Sequence, residues 1–429
     1  MLPLTYFWIL LGLMAIGVPI VFALVAAPVA ALVLADKAMF LKIMPQKIFF
    51  GINQFPLIAI PLFILAGEIM NVGGITERLV RFATVLVGHF RGGLAHVNIV
   101  SSIFFAGLSG SAVADTSALG SMLIPAMEKQ GYTRRFAAAV TAASSVIGPI
   151  IPPSIIMIVY AYVMQVSVAG LFLAGFVPGV LTGLGLMVAT FFIARRRHYP
   201  KAERMVRPVE MAKAFWGALL PLMTPVIIIG GILSGVFTPT EAAGAAVLYA
   251  LLLSLFVLRT LRFDELPAIL LRAGVAASAI LLVVGTATVF GWVATLSGAH
   301  NKLAAGVFAI SDDPLVLLFV INILLLVVGM FLDAGPAILI LGPILAPTML
   351  QLGVDPLHFA IIMCVNLTVG LATPPMGLIL FVASSISREK IEAIAYEMLP
   401  FYVVHLAIIL LITFVPAIPM TLPRVLGYA

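Results

Sequence analysis

Cysteine and charge are the scarcest features of this sequence. The single cysteine, Cys364, stands inside an apolar run, so no intrachain disulfide can form, and the thiol is read as a small buried side chain. Charged residues make up 9% of the 429, where a soluble domain carries about 25%, and that leaves too little polar surface to solvate a globule. The polar–apolar alternation of a porin-like barrel is missing, so any crossing of a bilayer is helical. No phosphate-binding Gly-rich loop ending in Lys-Ser/Thr is present, which excludes a chain that itself hydrolyses ATP. Residues 1–35 lack a basic leader and a small-residue cleavage site; they are read as a first helix or tight helical pair and not as a removable signal. The net charge of +6 does not gather on one soluble face. Its bases sit in loops between apolar runs, where they report topology, and no nucleic-acid partner is expected.

What is abundant is apolar sequence: 63% hydrophobic residues and a mean hydropathy of +1.23. At roughly 20 residues per crossing the chain has material for ten or more helical passes of a lipid bilayer. Apolar segments fall near residues 4–17, 19–35, 48–72, 93–108, 112–127, 136–165, 167–194, 214–236, 240–258, 273–297, 315–331, 334–351, 356–385 and 397–420. Four are short for a crossing and come as two pairs, 93–108 with 112–127 and 315–331 with 334–351. Ser109-Gly110-Ser111 splits the first pair and Leu332-Asp333-Ala334-Gly335-Pro336 the second, a pattern that predicts two re-entrant hairpins. Residues 75–90, with Glu77, Arg78, Arg81 and His89 among apolar neighbours, read as an interfacial arm leading into the first hairpin.

The two halves repeat. Shifted by 222 residues, 120–153 lies on 342–375 without a gap, with nine identities: Gly120, Leu123, Pro125, Met127, Gly131, Ala138, Gly148, Pro152 and Pro153 recur in the second copy. Gly and Pro are 64 of the 429 residues yet supply six of these nine matches, so the same chain path is expected twice. Charge sets the orientation. If residues 72–92, 128–135, 195–213, 259–272 and 386–396 are cytoplasmic, they hold 18 of the 23 Lys and Arg residues; Lys37, Lys42, Lys47, Lys302 and Arg424 remain on the other side. Both termini are then periplasmic, and the hairpins enter from opposite faces, as in the inverted repeats of secondary transporters.

Each hairpin is followed by a long helix interrupted at its middle, by residues 144–153 in the first copy and 366–375 in the second. Consecutive prolines remove donors and force the helix to unwind. The freed carbonyls need partners at membrane depth, and a hard cation such as sodium, which takes oxygen ligands, supplies one. Half-helix N-termini nearby suit an anionic carboxylate.

The run from Gly107 to Gly120, the breaks at Gly148 to Ser154 and Gly370 to Pro375, and the turn Gly235 to Ala243 resemble the large membrane subunit of tripartite ATP-independent periplasmic (TRAP) transporters over essentially the whole chain. The resemblance implies an all-α polytopic protein of the bacterial inner membrane, built as two inverted repeats and working as an elevator. It implies a sodium-coupled organic-acid cargo (a sialic or other sugar acid, or a C4-dicarboxylate), a small transmembrane partner subunit, and a periplasmic binding protein that delivers the cargo. Sodium site 1 would use Ser109 and Ser111 with carbonyls of Gly148, Ile151 and Pro153; sodium site 2 would use carbonyls near Gly329, Gly370, Thr373 and Met376. The two intramembrane acids, Asp115 and Asp333, are read either as groups of the substrate path or ion coupling or as caps or latches of their own hairpins, and no catalytic residue or transition metal is expected. The implied organisation is scaffold helices and arm over 1–92, transport repeat 1 over 93–165, scaffold with a cytoplasmic loop over 166–314, transport repeat 2 over 315–385, and a C-terminal scaffold helix over 386–429.

Two other classes share local features with this sequence. Gly107-Leu108-Ser109-Gly110 matches the serine motif of rhomboid intramembrane proteases, which needs a histidine on another helix, and His358 and His405 are the candidates. Hairpin loops also build channel filters, but no filter-like run is present. Glu68 and Glu241 are read as structural, the latter favoured by its place at a helix start.

Overall fold

Several helices begin where a Ser, Thr or Asp side chain caps an apolar run, as at Ser111, Thr133, Ser154, Ser167, Thr238 and Asp355, and some end at glycine, as at Gly73, Gly110 and Gly298. The computed structural model describes residues 5–201, 208–298 and 313–428, so Arg204, Arg207 and Lys302, counted above for topology, lie outside the described residues. Among the described residues there is no strand, only an isolated bridge between Arg91 and Lys201. In chain order the helices are α1 (Thr5–Ala15), α2 (Ile20–Leu34), α3 (Met44–Ile52), α4 (Ala59–Val72), the arm α5 (Ile75–Val87), α6 (Gly93–Ser109), α7 (Ala112–Lys129), α8 (Arg134–Ser145), α9 (Ile155–Met164) and α10 (Val168–Arg196). They continue as α11 (Pro208–Leu233), α12 (Pro239–Leu252), α13 (Leu266–Ser297), α14 (Pro314–Phe331), α15 (Ala334–Gln351), α16 (Pro356–Gly370), α17 (Leu378–Ser387), α18 (Ile391–Glu397), α19 (Leu399–Phe414) and α20 (Ala417–Val425).

Among the described residues, seven helices are long and apolar enough to cross a membrane, or eight if α18 and α19, bent by 62°, are one span. That is fewer than the ten or more that composition allowed. Much of the apolar sequence goes into helices of 10–17 residues, such as α9 and α17, that are halves of broken spans. The apolar segment 48–72 is likewise divided, with a 3-10 turn at Phe55–Ile58 between α3 and α4.

The internal repeat extends to the helix boundaries. The ends of α6, α7 and the start of α8 fall 222 residues before those of α14, α15 and α16. The helix starts are capped at equivalent positions by different chemistry. Ser111 Oγ accepts from Ala114 N (3.4 Å), where Asp333 Oδ1 accepts from Ala334 N (2.8 Å). Thr133 Oγ1 accepts from Phe136 N (3.4 Å), where Asp355 Oδ1 accepts from Leu357 N (2.8 Å). An oxygen at the N-cap is what the free amides of a helix start require, and hydroxyl or carboxylate serves. The copies also cross-pack: α9 lies on α15 of the other copy, and α17 on α7.

The packing divides the helices differently from the boundaries expected above. α1–α5 and α11–α13 pack mainly on one another, whereas α10, α19 and α20, expected with the scaffold, lie against the hairpin and broken-helix set. The cause in α10 is a stripe of glycines at every fourth residue. A Cβ at Gly175 would stand 2.3 Å from Ile150 O, at Gly179 2.3 Å from Ile151 Cγ1, and at Gly183 2.5 Å from Ile103 Cδ1. Small residues let helices approach closely where no hydrophobic force separates lipid from protein. α19 is tied in by Tyr402, whose hydroxyl donates to Ala372 O (2.8 Å), and by Thr413, which accepts from Asn322 Nδ2 (3.0 Å).

The cationic loops meet at one end. Gly92 N donates to Pro200 O (2.9 Å), Arg135 pairs with Glu389 (3.0 Å), and Arg197 pairs with Glu397 (2.8 Å).

Candidate functional site

Proline and glycine create both breaks, and each break receives a hairpin tip. In the first copy α8 stops at Ser145 and α9 restarts at Ile155, capped by Ser154, whose Oγ also donates to Pro149 O (2.6 Å). The tip residues Gly110 and Ser111 press onto this break: a Cβ on Gly110 would lie 2.5 Å from Pro153 O. In the second copy α16 stops at Gly370 and α17 restarts at Leu378; Gly377 N donates to Met330 O beside the second tip (3.1 Å). The Pro152–Pro153 and Pro374–Pro375 bonds are both cis.

Site 1 brings together more than the sequence assembled. Ser109 Oγ donates to Asp115 Oδ1, and Ser111 N donates to Ser109 Oγ (3.3 Å). Asp115 is wholly buried, and its Oδ2 has no hydrogen-bond partner among the described residues. That oxygen faces Gly148, where a Cβ would approach it to 2.3 Å. Asp115 therefore stands beside Ser109 and Gly148, two of the residues expected at site 1, whereas Asp333 lines a cavity. The carbonyls of Gly148, Ile151 and Pro153 receive no donor among the described residues. Buried carbonyls and a buried unpartnered carboxylate oxygen are costly unless something positive meets them.

Site 2 is built differently. α14 and α16 touch backbone to backbone, since a Cβ on Gly370 would stand 2.6 Å from Gly329 Cα and one on Gly329 would stand 2.8 Å from Leu367 O. The Gly370 carbonyl accepts from Thr373 N (2.9 Å), and the Thr373 hydroxyl is engaged by Val369 O (2.9 Å). The carbonyls of Gly329, Thr373 and Met376 receive no donor among the described residues. The position equivalent to Asp115 is Ala337, so the second site lacks a carboxylate of its own at that point. The first break is buried throughout; Met376 in the second is 48% exposed.

Two adjacent cavities flank the tips. One of about 310 Å³ lies between the first tip and α4 and α13, and includes Ser109, Ser111, Ser117, Asn71 and Glu68. The other, about 240 Å³, lies between the second tip and α13, and includes Asp333. Ile155 and Ile280 border both.

Sequence reasoning missed the buried amides that fasten hairpin to broken helix. Asn98 Nδ2 donates to Thr141 Oγ1 (2.6 Å), beside Ser102 bonded to Ser144 (2.9 Å). Asn366 Nδ2 donates to Asn322 Oδ1 (2.6 Å). Ser144 and Asn366 are repeat-equivalent and stand four residues before Gly148 and Gly370. A polar amide inside an apolar segment was the available signal. The protease alternative finds no geometry: Ser109 is bonded to Asp115, His358 Nε2 to Ile412 O (2.8 Å), and neither His358 nor His405 is hydrogen-bonded to the serine.

Comparison with known proteins places this arrangement in a family. Residues 7–418 match the family model described as tripartite ATP-independent periplasmic transporter, DctM component. The sialic acid TRAP transporter large permease protein SiaM of Vibrio cholerae is 42% identical over 97% of this chain and 98% of its own length. The C4-dicarboxylate TRAP transporter large permease protein DctM of Pseudomonas aeruginosa is 41% identical over 89% of each. Among solved structures, the YdaH transporter of Alcanivorax borkumensis shares the fold with a TM-score of 0.58 at 15% identity, over 96% of this chain and 98% of the other. Paired hairpins, paired breaks and near full-length identity above 40% agree, and this chain belongs to the large permease (DctM) component of the TRAP transporters, multi-pass membrane proteins that carry cargo and are not enzymes.

Proposed function

We propose that the chain carries out sodium-coupled uptake of an organic-acid anion across the bacterial inner membrane. The observation that carries this reading is the pairing of each hairpin tip with a helix break on one 222-residue offset, each break presenting carbonyls that no donor among the described residues reaches. The donor set suits a hard monovalent cation: hydroxyls of Ser109 and Ser111, the Asp115 carboxylate and the carbonyls of Gly148, Ile151 and Pro153 at site 1, and carbonyls of Gly329, Gly370, Thr373 and Met376 at site 2. A bound cation supplies the positive charge that draws an anion between the tips. Asp115 offsets one positive charge at site 1, so the occupied site is neutral and can be buried. Asp333 borders the cargo path at the second tip.

The cargo is a sugar acid or a C4-dicarboxylate; the hydroxyls and amide around the larger cavity favour a polyhydroxylated acid. The two hairpins enter from opposite faces, the cationic end of the molecule is cytoplasmic, and both termini are periplasmic. The hairpins, broken helices, α10 and α18–α20 form the mobile elevator body and α1–α5 with α11–α13 the scaffold. A periplasmic binding protein hands over the cargo, and a small membrane subunit completes the scaffold. A ligand that binds only the folded state raises its melting temperature. Purified protein is expected to melt higher in NaCl than in choline chloride at equal ionic strength. An identical melting temperature in the two salts refutes sodium binding.

A further inference from the structure

An anionic cargo meets a charge problem in the cleft between the two bodies. The ionisable residues that line the two cavities, Glu68 and Asp333, are both acids, and no Lys or Arg is among the lining residues. One guanidinium reaches this lining: Arg272 Nε donates to Glu68 Oε2 at 3.0 Å. Arg272 lies one helical turn from Ala276 and two from Ile280, on the face of α13 that borders the larger cavity. Glu68 shares its face of α4 with Ile64 and Asn71, at the same cavity. The pair is half open, with Arg272 50% and Glu68 33% exposed, so its partners can exchange with solvent or solute. Its contact uses Nε, and a guanidinium still has terminal donors that take a second carboxylate in a planar fork.

We propose that Arg272 is the residue of the scaffold that recognises the carboxylate of the cargo, and that Glu68 is its internal stand-in. This inference rests on the reading of the cargo as a carboxylate. With the cleft empty, Glu68 holds the guanidinium in place and keeps it from stray anions. An arriving carboxylate takes over the guanidinium fork, and Glu68 turns away to solvent. The acid end of the cargo then points to α13, and its remaining polar groups face Ser109, Ser111 and Asn71. Glu68 thereby weakens binding, which keeps release of the cargo fast.

The test is a thermal-stability titration of the purified full-length protein in saturating NaCl, with N-acetylneuraminate and succinate as probes. Glu68→Gln frees the guanidinium, and at least one acid is expected to bind it several-fold more tightly than it binds wild type. Arg272→Gln is expected to weaken that acid at least tenfold. Arg272→Lys, which keeps the charge and loses the fork, falls between. The sodium concentration for half-maximal stabilisation stays unchanged in all three. If Glu68→Gln and Arg272→Gln weaken the acid alike, the pair is only a clamp between α4 and α13, and the proposal fails. Equal acid affinity in wild type and both variants also refutes it while leaving the carboxylate reading intact. If neither acid stabilises any variant, the proposal and the carboxylate reading fall together.

Discussion

The glycines at the two breaks answer to different neighbours, and alanine separates them. At Gly370 an added carbon would stand 2.6 Å from the Cα and carbonyl carbon of Gly329, where carbon atoms normally rest about 3.5–4.0 Å apart. Backbone cannot swing aside, so α14 and α16 must part by roughly 1 Å. The buried bond from Asn366 to Asn322, now 2.6 Å, would then stretch beyond about 3.5 Å and be lost. Overpacking costs about 1–3 kcal/mol, and the lost hydrogen bond adds about 1 kcal/mol, since Asn366 keeps its bond to Ile362 O and Asn322 its bonds to Thr413. The gain in helix propensity from glycine to alanine is at most about 1 kcal/mol, so Gly370→Ala is strongly destabilising. At Gly148 the added carbon meets Asp115 Oδ2 at 2.3 Å, and a carboxylate at the end of a side chain can rotate. Rotation breaks its bond to Ser109 and takes the carboxylate out of site 1. Gly148→Ala is therefore expected to melt somewhat below wild type in choline chloride, through loss of the Ser109–Asp115 bond, and to lose most of its sodium-dependent rise, while Gly370→Ala melts lower still in either salt. Melting curves of both variants in NaCl and choline chloride decide the matter. A Gly148→Ala protein with the full sodium shift, or a Gly370→Ala protein as stable as wild type, refutes the reasoning.

Ser109→Ala and Ser111→Ala each remove a hydroxyl from site 1 and should raise the sodium concentration for half-maximal uptake, about tenfold for each 1.4 kcal/mol of lost interaction. Ser111→Ala also loses an N-cap, so Ser111→Gly, which costs only a few tenths of a kcal/mol at a cap, serves as its control; unchanged sodium dependence in all three variants would remove both serines from the site. For orientation, Arg196→Cys in a Cys364→Ala background should react with an impermeant maleimide only after the membrane is opened, and labelling of intact cells from outside would reverse the topology. Uptake by this chain alone in proteoliposomes should be negligible until the binding protein and small subunit are supplied; robust uptake without them would contradict the partner assignment.

The parts of the fold written in glycine and proline were legible in the sequence. The consecutive proline pairs Pro152-Pro153 after Gly148 and Pro374-Pro375 after Gly370 dictate breaks, and their common offset exposes the repeat, because these residues constrain the backbone whatever surrounds them. Contacts between distant side chains were not legible. Asp115 meets Gly148 across 33 positions and Arg272 meets Glu68 across 204, and neither carries a local pattern. Glu68 therefore read as structural when it in fact borders a cavity. The placement of α10 lay between these cases: its glycines recur every four residues, a visible stripe, but the stripe alone does not say which neighbour it meets. Composition measures apolar length and does not show how broken helices divide it, so only seven or eight helices among the described residues are long enough to cross unbroken.

Coupling itself is tested most directly by uptake against a gradient. The complete transporter is reconstituted into vesicles, and the acid that its binding protein retains is followed under an inward gradient of sodium or of potassium. The account predicts transient accumulation above equilibrium with sodium and none with potassium. Equal accumulation under the two gradients, or mere equilibration under both, would contradict it.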